Sequence, residues 1–105
     1  MGYKTIEKKS QEQLARHIRA LARNSLAVVF TRHASVQMGK RKVSTLEVFE
    51  CLREGAIRRV PEPNFKKGSL ECRMERYVAG RELAVIVALC DEDPDVLVVT
   101  VFSVD

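Results

Sequence analysis

One histidine and two arginines lie close together between Phe30 and Arg41. His33 follows a short apolar run that ends at Phe30 and precedes a short, basic, predicted helix; Arg32 and Arg41 flank it. An imidazole can give and take a proton near neutral pH, and guanidiniums can hold phosphate oxygens. The pattern fits chemistry at a phosphate group. A lone histidine beside a strand is, however, more often a surface or half-buried residue without a catalytic role.

The basic side chains are concentrated in the first part of the chain. Residues 1–45 contain ten Lys or Arg and two Glu, a charge of +8, whereas residues 46–105 contain eight basic and twelve acidic side chains, a charge of −4. A basic surface attracts polyanions, most commonly RNA or DNA. Two interpretations stay open: a nucleic acid-binding surface, or simply the solvated face of the first helix.

Length and composition predict one soluble domain. A chain of 105 residues with 46% hydrophobic and 30% charged residues can bury a real core. Its longest apolar run, from Leu83 to Cys90, is too short for a membrane-spanning helix, and no hydrophobic signal segment is visible. We expect a cytoplasmic protein with no membrane partner and one domain over residues 1–105, of which residues 1–9 are loosely ordered.

The three cysteines predict neither a disulfide nor a metal site. Cys51, Cys72 and Cys90 are scattered, form no Cys-x-x-Cys pair and have no histidine at a zinc-ligand spacing. Each lies on an apolar stripe, so we expect small buried side chains with free thiols. The sequence indicates no metal and no cofactor.

The first half of the chain predicts three helices, at residues 10–23, 34–40 and 44–54, with a β-prone segment at 27–31. Ser44 and Glu47 form a capping box at the start of the third helix. We expect Gly55 to end that helix in the left-handed conformation and the second helix to end near Gly39.

From residue 56 the hydrophobic period becomes that of strands. Strands are predicted at residues 56–60, 70–78, 83–90 and 96–104, with a proline-containing loop at 61–68 and turns at 79–80 and 91–95. The last two strands are apolar on both faces, as in central strands. The prediction is an α+β fold whose N-terminal helices pack on a four-stranded, mainly antiparallel sheet.

Several spaced motifs together resemble DUF4258, a small bacterial domain family of unknown function. They are Phe30-Thr31-Arg32-His33-Ala34, the Met38 and Arg41 spacing, the capped helix ending in Gly55, Glu71-Cys72-Arg73-Met74-Glu75 and Val78-Ala79-Gly80-Arg81, and they span roughly residues 14–104. The resemblance implies a RelE-like fold of the barnase-EndoU-colicin type and a ribonuclease toxin paired with a small antitoxin. The family pattern usually has Arg-Met where this chain has Gln37-Met38, which puts activity in doubt or shifts RNA binding to Lys40 and Arg41.

A ribonuclease of this kind would cleave RNA by its own 2′-hydroxyl, without a metal. A base removes the hydroxyl proton, cations stabilise the pentavalent phosphate and an acid protonates the leaving 5′-oxygen. The candidate catalytic residues are His33 as acid or base, Arg41 and Arg73 as the phosphate clamp, and Glu75, or else Tyr77, as the second proton-transfer group. The candidate RNA-binding residues are Arg32, Lys40, Lys42 and Arg81.

Other interpretations stay open beside this one. Arg73 and Glu75 could be a charged strand face whose pairing contributes only about 0.2–1 kcal/mol. The domain could be a non-catalytic module that binds RNA or an acidic protein, or a structural domain that forms a homodimer through its apolar strands. The chain has few aromatic residues and no Trp, so base stacking has little support.

Overall fold

Three helices pack on one face of a six-stranded sheet in the computed structural model, which describes residue 6, residues 8–91 and residues 93–104. The helices are α1 (Gln11–Leu21), α2 (Arg32–Arg41) and α3 (Thr45–Glu54). The strands are β1 (Val28–Phe30), β2 (Ala56–Ile57), β3 (Glu62–Asn64), β4 (Ser69–Val78), β5 (Arg81–Cys90) and β6 (Asp93–Ser103). The predicted α+β class is confirmed, whereas the described sheet has six strands and not four.

The strand order of the sheet is β1-β6-β5-β4-β2, and β3 also pairs with β4. The three long strands β4, β5 and β6 form the predicted antiparallel meander. The additional strands are short: β1 pairs in parallel with β6, with Val28 opposite Val96, while β2 and β3 pair in turn with β4. The sheet is therefore mixed. Parallel strands cannot be joined by a hairpin, and most of the chain lies between β1 and β6.

Two capping boxes begin α1 and α3. The Ser44 hydroxyl accepts the Glu47 N–H at 3.1 Å, and the Glu47 carboxylate accepts the Ser44 N–H at 2.7 Å, as predicted. Ser10 and Gln13 make the same pair of bonds at the start of α1. Each box satisfies two backbone donors that a helix start leaves without partners.

The end of α3 differs from the prediction. Gly55 has an extended backbone, with φ −80° and ψ −178°, so it is not a left-handed cap. Its lack of a side chain matters for another reason: a Cβ atom would lie 2.3 Å from the Cys51 carbonyl oxygen and 2.8 Å from that of Glu75. Glycine is needed because the end of α3 lies directly against β4.

The end of α2 also differs from the prediction. The helix continues through Gly39 to Arg41, and Lys42 takes the left-handed conformation with φ 55°. The predicted turn between β4 and β5 is confirmed, since Ala79 and Gly80 both have positive φ, at 51° and 85°. A two-residue hairpin turn of type I′ requires positive φ at both of its central residues.

The segment predicted as one strand and a loop, residues 56–68, is organised differently. β2 ends at Ile57, so the chain leaves the sheet before Arg58. It returns as β3, in which Pro63 lies opposite Leu70. Proline is compatible with β3 because this strand lies at the edge of the sheet, where one side of the backbone needs no partner. The turn expected at 91–95 is also shorter, because β6 begins at Asp93 opposite Cys90.

The helices cover one face of the sheet only. In β4 the residues Leu70, Cys72 and Met74 are buried in the core, while the alternate residues face the other way. This second surface, which we call the open face, has no described helix over it. It consists of Ser69, Glu71, Arg73, Glu75 and Tyr77 from β4, Glu82, Ala84, Ile86, Ala88 and Cys90 from β5, and Leu97, Thr100 and Phe102 from β6.

The N-terminal segment expected to be loosely ordered, residues 1–9, lies largely outside the described residues. Ile6 is described, and it is buried in the core with 5% of its surface exposed. No helix among the described residues is both long enough and apolar enough to cross a membrane.

Candidate functional site

Four charged residues converge on the open face beside β4. The Glu75 carboxylate lies 3.0 Å from Arg73 Nε, 3.5 Å from Arg58 Nη1 and 3.9 Å from Arg59 Nε. We call these four residues the arginine cluster. Glu75 is buried, whereas the side chains of Arg58 and Arg59 are 57% and 65% exposed. The cluster is therefore a buried carboxylate in contact with two exposed guanidiniums and with that of Arg73, whose side chain is only 15% exposed.

The register of the sheet explains how the cluster is built. Glu75 lies opposite Ala84 on β5, and Ala84 lies opposite Phe102 on β6. Because the alanine side chain is small, Arg73 can lean across it, and its guanidinium carbon lies 4.7 Å from the Phe102 ring centroid. Ala84 has 0% of its surface exposed although it belongs to the open face. The larger side chains of its neighbours cover it.

The cluster contains two buried polar atoms without hydrogen bonds. Arg73 Nε and Glu75 Oε2 lie 3.0 Å apart, yet neither atom makes a hydrogen bond with any described residue. The pair is thus held by charge and not by an aligned N–H bond. Buried polar atoms that make no hydrogen bond are uncommon in native structures and call for an explanation.

Glu82 joins the cluster at its edge. Arg58 Nη1 donates to Glu82 Oε1 at 2.7 Å, shorter than its contact with Glu75. This hydrogen bond raises the pKa of Arg58 above its ordinary value. The three arginines and two glutamates together carry a formal charge of +1.

His33 does not belong to this group. It is exposed in the first turn of α2 and makes no hydrogen bond or ion pair with any described residue. The helix that carries His33, α2, packs against β6, whereas Arg73 and Glu75 lie on β4, two strands away in the sheet. The structure brings Arg73 and Glu75 together, and no hydrogen bond or ion pair among the described residues joins His33 to either. Arg32 is exposed beside His33.

Arg41 has a backbone partner. Its Nη1 donates to the Val101 carbonyl at 3.0 Å, and Gln37 Oε1 accepts the Val101 N–H at 2.9 Å. β1 pairs with β6 only as far as Val98, so it does not reach Val101. There the Arg41 and Gln37 side chains make the backbone hydrogen bonds that a neighbouring strand would make. Gln37 is suited to this contact because its carbonyl oxygen can accept an N–H.

Arg81 likewise has local partners. It donates to the carbonyls of Arg41 at 2.8 Å and Lys42 at 2.6 Å, and it lies 3.6 Å from the Glu47 carboxylate. The C-terminal carbonyls of a helix have no partners within the helix, so Arg81 satisfies them where Lys42 turns the chain. Lys40 and Lys42 are exposed. Arg41 and Arg81 thus join α2 to the sheet.

The basic helix α1 is partly structural as well. Arg19 donates to the Gly55 carbonyl at 2.8 Å and so attaches α1 to the end of α3. Arg16 and Arg23 are exposed. The charge of the first part of the chain is therefore divided between contacts within the fold and the solvent.

The cysteines are free thiols, and Cys51 and Cys72 are buried as expected, whereas Cys90 is half-buried. Burial raises the pKa of both Cys51 and Cys72 to about 12. Neither thiol is suited to act as a nucleophile near neutral pH, because the thiolate is the reactive form.

The sequence interpretation missed Arg58, Arg59 and Phe102. The two arginines follow a two-residue strand, and the phenylalanine lies in an apolar strand, so neither pattern is distinctive. Tyr77, the alternative proton-transfer group, shares the open face with Glu75 as expected and is 64% exposed.

Comparison with known proteins gives a match to a protein family. Residues 30–103 match the family described as "Domain of unknown function (DUF4258)", a range that contains α2, α3 and the whole arginine cluster. No curated protein and no solved structure matches the chain. Since the match covers more than half of the 105 residues, the chain belongs to the DUF4258 family.

Proposed function

We propose that this domain is an endoribonuclease that cleaves RNA through the RNA's own 2′-hydroxyl, with the arginine cluster as its active site. One observation carries the proposal: a buried carboxylate, one of whose oxygens accepts no hydrogen bond from the described residues, forms ion pairs with three guanidiniums on the open face. A carboxylate can accept the hydroxyl proton, and guanidiniums can stabilise the charge that develops on phosphate.

Glu75 acts as the base and the arginines bind the phosphate. In the free protein the guanidiniums neutralise Glu75; an RNA phosphate competes for Arg58 and Arg59, whose exposed side chains can move. Their displacement uncovers the part of the Glu75 carboxylate that they contact, including Oε1. Arg73 stays in place because it packs on Phe102.

Tyr77 supplies the proton for the leaving group. It lies two residues beyond Glu75 on the same strand face, a separation of about 7 Å. The 2′-hydroxyl proton moves to Glu75 as the 2′-oxygen bonds to phosphorus. The bond from phosphorus to the 5′-oxygen breaks, and the phenol protonates that oxygen. The products are a 2′,3′-cyclic phosphate and a free 5′-hydroxyl.

The finer description of the fold belongs to this proposal too. A three-stranded antiparallel meander with helices on one face supports the RelE-like type that the family resemblance implies. In this proposal the domain is a toxin that acts on cytoplasmic RNA, and a small antitoxin protein covers the open face to restrain it.

A second candidate is a non-catalytic module that binds RNA through the same face. The observation that favours it is the burial of Glu75, whose carboxylate is covered by its own ion-pair partners. In that case the carboxylate only holds the three arginines in position, and RNA binds above them.

The test is cleavage of RNA by the purified protein in the presence of EDTA. Wild-type protein is expected to cut and to leave a 2′,3′-cyclic phosphate. Glu75→Gln, which keeps the shape of the side chain, should lower the rate by about 100-fold or more. Glu50→Gln is the matched control, because Glu50 also pairs with an arginine, Arg76 at 3.4 Å, but lies on α3 and away from the open face.

The outcomes separate the candidates. Cleavage that is lost in Glu75→Gln and kept in Glu50→Gln supports the endoribonuclease. Salt-dependent RNA binding without cleavage supports the binding module. Wild-type protein that neither cuts nor binds RNA would overturn both proposals.

A further inference from the structure

An open hollow of about 350 Å³ lies on the outer side of α1, in the helix layer of the fold. It is lined by Lys9, Gln13, Arg16, His17 and Ala20. We call it the α1 hollow. None of the five lining residues is acidic, and four of them have side chains that can donate hydrogen bonds. The chemistry of this lining therefore suits an anion.

The spacing along the helix explains how these side chains meet. Residues three or four positions apart lie side by side on a helix surface. Gln13 and His17 have this spacing, and so do Arg16 and Ala20. The alanine side chain is small and exposed, so it leaves room between the longer side chains around it. The hollow faces away from the core, which α1 contacts through other residues.

His17 is half-buried at this hollow, and its surroundings disfavour the charged form of the ring. Burial lowers the pKa of His17, the charge of Lys9 lowers it further, and Asp91, which follows β5, acts in the opposite direction. An anion between Lys9 and His17 would offset the charge of the lysine and favour the imidazolium. Anion binding and protonation of His17 should therefore strengthen each other.

Arg16 adds a second positive charge beside His17. Its guanidinium lies 4.0 Å from the Glu12 carboxylate, and the two side chains are 71% and 66% exposed. An exposed ion pair of this kind contributes little, so an anion can compete for Arg16. Arg19 on the same helix differs, because it donates to the Gly55 carbonyl and so has a partner within the fold.

We infer that the α1 hollow is a second phosphate-binding site, in which Lys9, Arg16 and His17 bind a backbone phosphate of RNA. An open hollow does not enclose a small ligand, whereas a polymer is held at several points along its length. The inference rests on the proposed function for the identity of the polymer. It adds a contact in the helix layer to the arginine cluster on the open face.

One RNA strand is long enough to reach both sites. The domain has extents of 37 × 26 × 24 Å. At about 3.4 Å per nucleotide, a strand of about 20 nucleotides is roughly 70 Å long and can pass around an edge of the domain.

The test is binding of a 20-nucleotide 2′-O-methyl RNA to the full chain at several salt concentrations. The methyl group blocks the attacking hydroxyl, so the RNA is bound and not cut. Lys9→Gln and Arg16→Gln should each lower the slope of log affinity against log salt by about 0.7, which weakens binding about fivefold at 0.1 M salt. Lys8→Gln is the matched control, because Lys8 is exposed and outside the lining, and it should bind like wild type.

A second pair of variants changes the shape of the hollow and not its charge. Ala20→Leu fills the space between the basic side chains and should weaken RNA binding to a similar extent. Ala20→Ser leaves the hollow open and should bind like wild type. Thermal melts of all variants control for folding.

Nuclear magnetic resonance of the histidine rings locates the contact directly. The chain has two histidines, and His33 is exposed on α2 and outside the hollow, so it serves as an internal control. RNA should raise the pKa of His17 more than that of His33, and RNA binding should tighten as the pH falls through the pKa of His17. Inorganic phosphate at the same concentration should change the His17 signals much less, because it makes no contact elsewhere on the protein at the same time.

Equal losses of affinity in Lys8→Gln and Lys9→Gln, or a pKa of His17 that RNA does not raise, would overturn the inference. A response of His17 to inorganic phosphate as large as its response to RNA would overturn it too, in favour of a site for small phosphates. If the wild type then still cuts RNA and Glu75→Gln does not, the proposed function stands. RNA held in the α1 hollow by a protein that never cuts RNA would contradict the proposed function and leave the inference in place.

Discussion

Glu75 Oε2 lies 3.0 Å from Arg73 Nε on the open face of the sheet, and neither atom makes a hydrogen bond within the described residues. The guanidinium carbon of Arg73 also lies 4.7 Å from the centroid of the Phe102 ring. Arginine stacked on an aromatic ring in this way gains about 0.5–2 kcal/mol. Glu75 Oε2 is thus ion-paired but accepts no hydrogen bond from the described residues, the feature on which the proposed chemistry depends.

The first prediction compares Glu75 with His33. Glu75→Gln should lower RNA cleavage about 100-fold or more, whereas His33→Ala should lower it less than about tenfold. The reason is that Glu75 lies in the arginine cluster, whereas His33 lies on α2, which packs against β6, and makes no hydrogen bond or ion pair with that cluster. Initial rates on one RNA substrate, with the melting temperature of each variant as a control for folding, measure both effects. The reverse order of losses would move the active site to the start of α2.

The second prediction concerns the edge of β6. Gln37→Leu should destabilise the protein by about 1–3 kcal/mol, because it leaves the Val101 N–H without its acceptor. Gln37→Glu is the matched variant, since it retains a carbonyl-type oxygen at the same position and should lose less stability. Urea unfolding followed by circular dichroism gives both values. Equal stability of Gln37→Leu and wild type would show that this contact contributes nothing.

The third prediction tests the close approach of α3 to β4. Gly55→Ala should destabilise the protein strongly, by about 2 kcal/mol or more, because the new Cβ would meet two backbone oxygens, at 2.3 Å and 2.8 Å. Gly39→Ala is the control: nothing lies within 4 Å of its Cβ, and it is inside α2. That change should stabilise by up to about 1 kcal/mol. The melting temperature of each variant, compared with wild type, measures both effects. A shift of both melting temperatures in the same direction would contradict this account.

The fourth prediction is a pH dependence that arises from the capping box of α3. The hydrogen bond from the Ser44 backbone N–H lowers the pKa of Glu47 below its ordinary value of 4.5. A carboxylate with a lowered pKa stabilises the fold above its ordinary pKa, and this contribution is lost as the pH falls through the lowered value. Wild type should therefore lose more stability than Glu47→Gln between pH 6 and pH 3.

At pH 7 the difference between the two proteins should be about 0.3–1 kcal/mol, the typical contribution of a negative charge near a helix N-terminus. Glutamine can keep the capping bonds, as Gln13 does in α1. Urea unfolding at each pH measures it. Curves of stability against pH that run parallel for wild type and Glu47→Gln would show that the Glu47 carboxylate does not titrate differently in the folded protein.

Much of the fold could be predicted from the sequence, because the relevant signals are local. The leucine spacing of α1 and the capping box at Ser44 depend on residues within one or two turns, and both helices are where they were expected. The alternation in β4 likewise predicts which side chains face the core. It placed Arg73, Glu75 and Tyr77 on one surface, as the structure has them.

The tertiary structure alone decided which of these residues meet. Arg58 and Glu75 are 17 positions apart, and their contact depends on β2 ending at Ile57 and on the register of β2 against β4. The parallel pairing of β1 with β6 joins residues 68 positions apart, such as Val28 and Val96. Such pairings depend on which distant segments pack together, and no local period in the sequence encodes that choice.

The same distinction explains the outcome for the individual candidate residues. Residue type and spacing marked His33 and Arg41 as suited to phosphate chemistry, and residue type alone determines what a side chain can do. Its neighbours determine what it does: Arg41 bonds the Val101 carbonyl, and Arg73 lies over Phe102 beside Glu75. The sequence thus determined the helices, the meander and the family, while the arginine cluster arose only from the packing of strands distant in the chain.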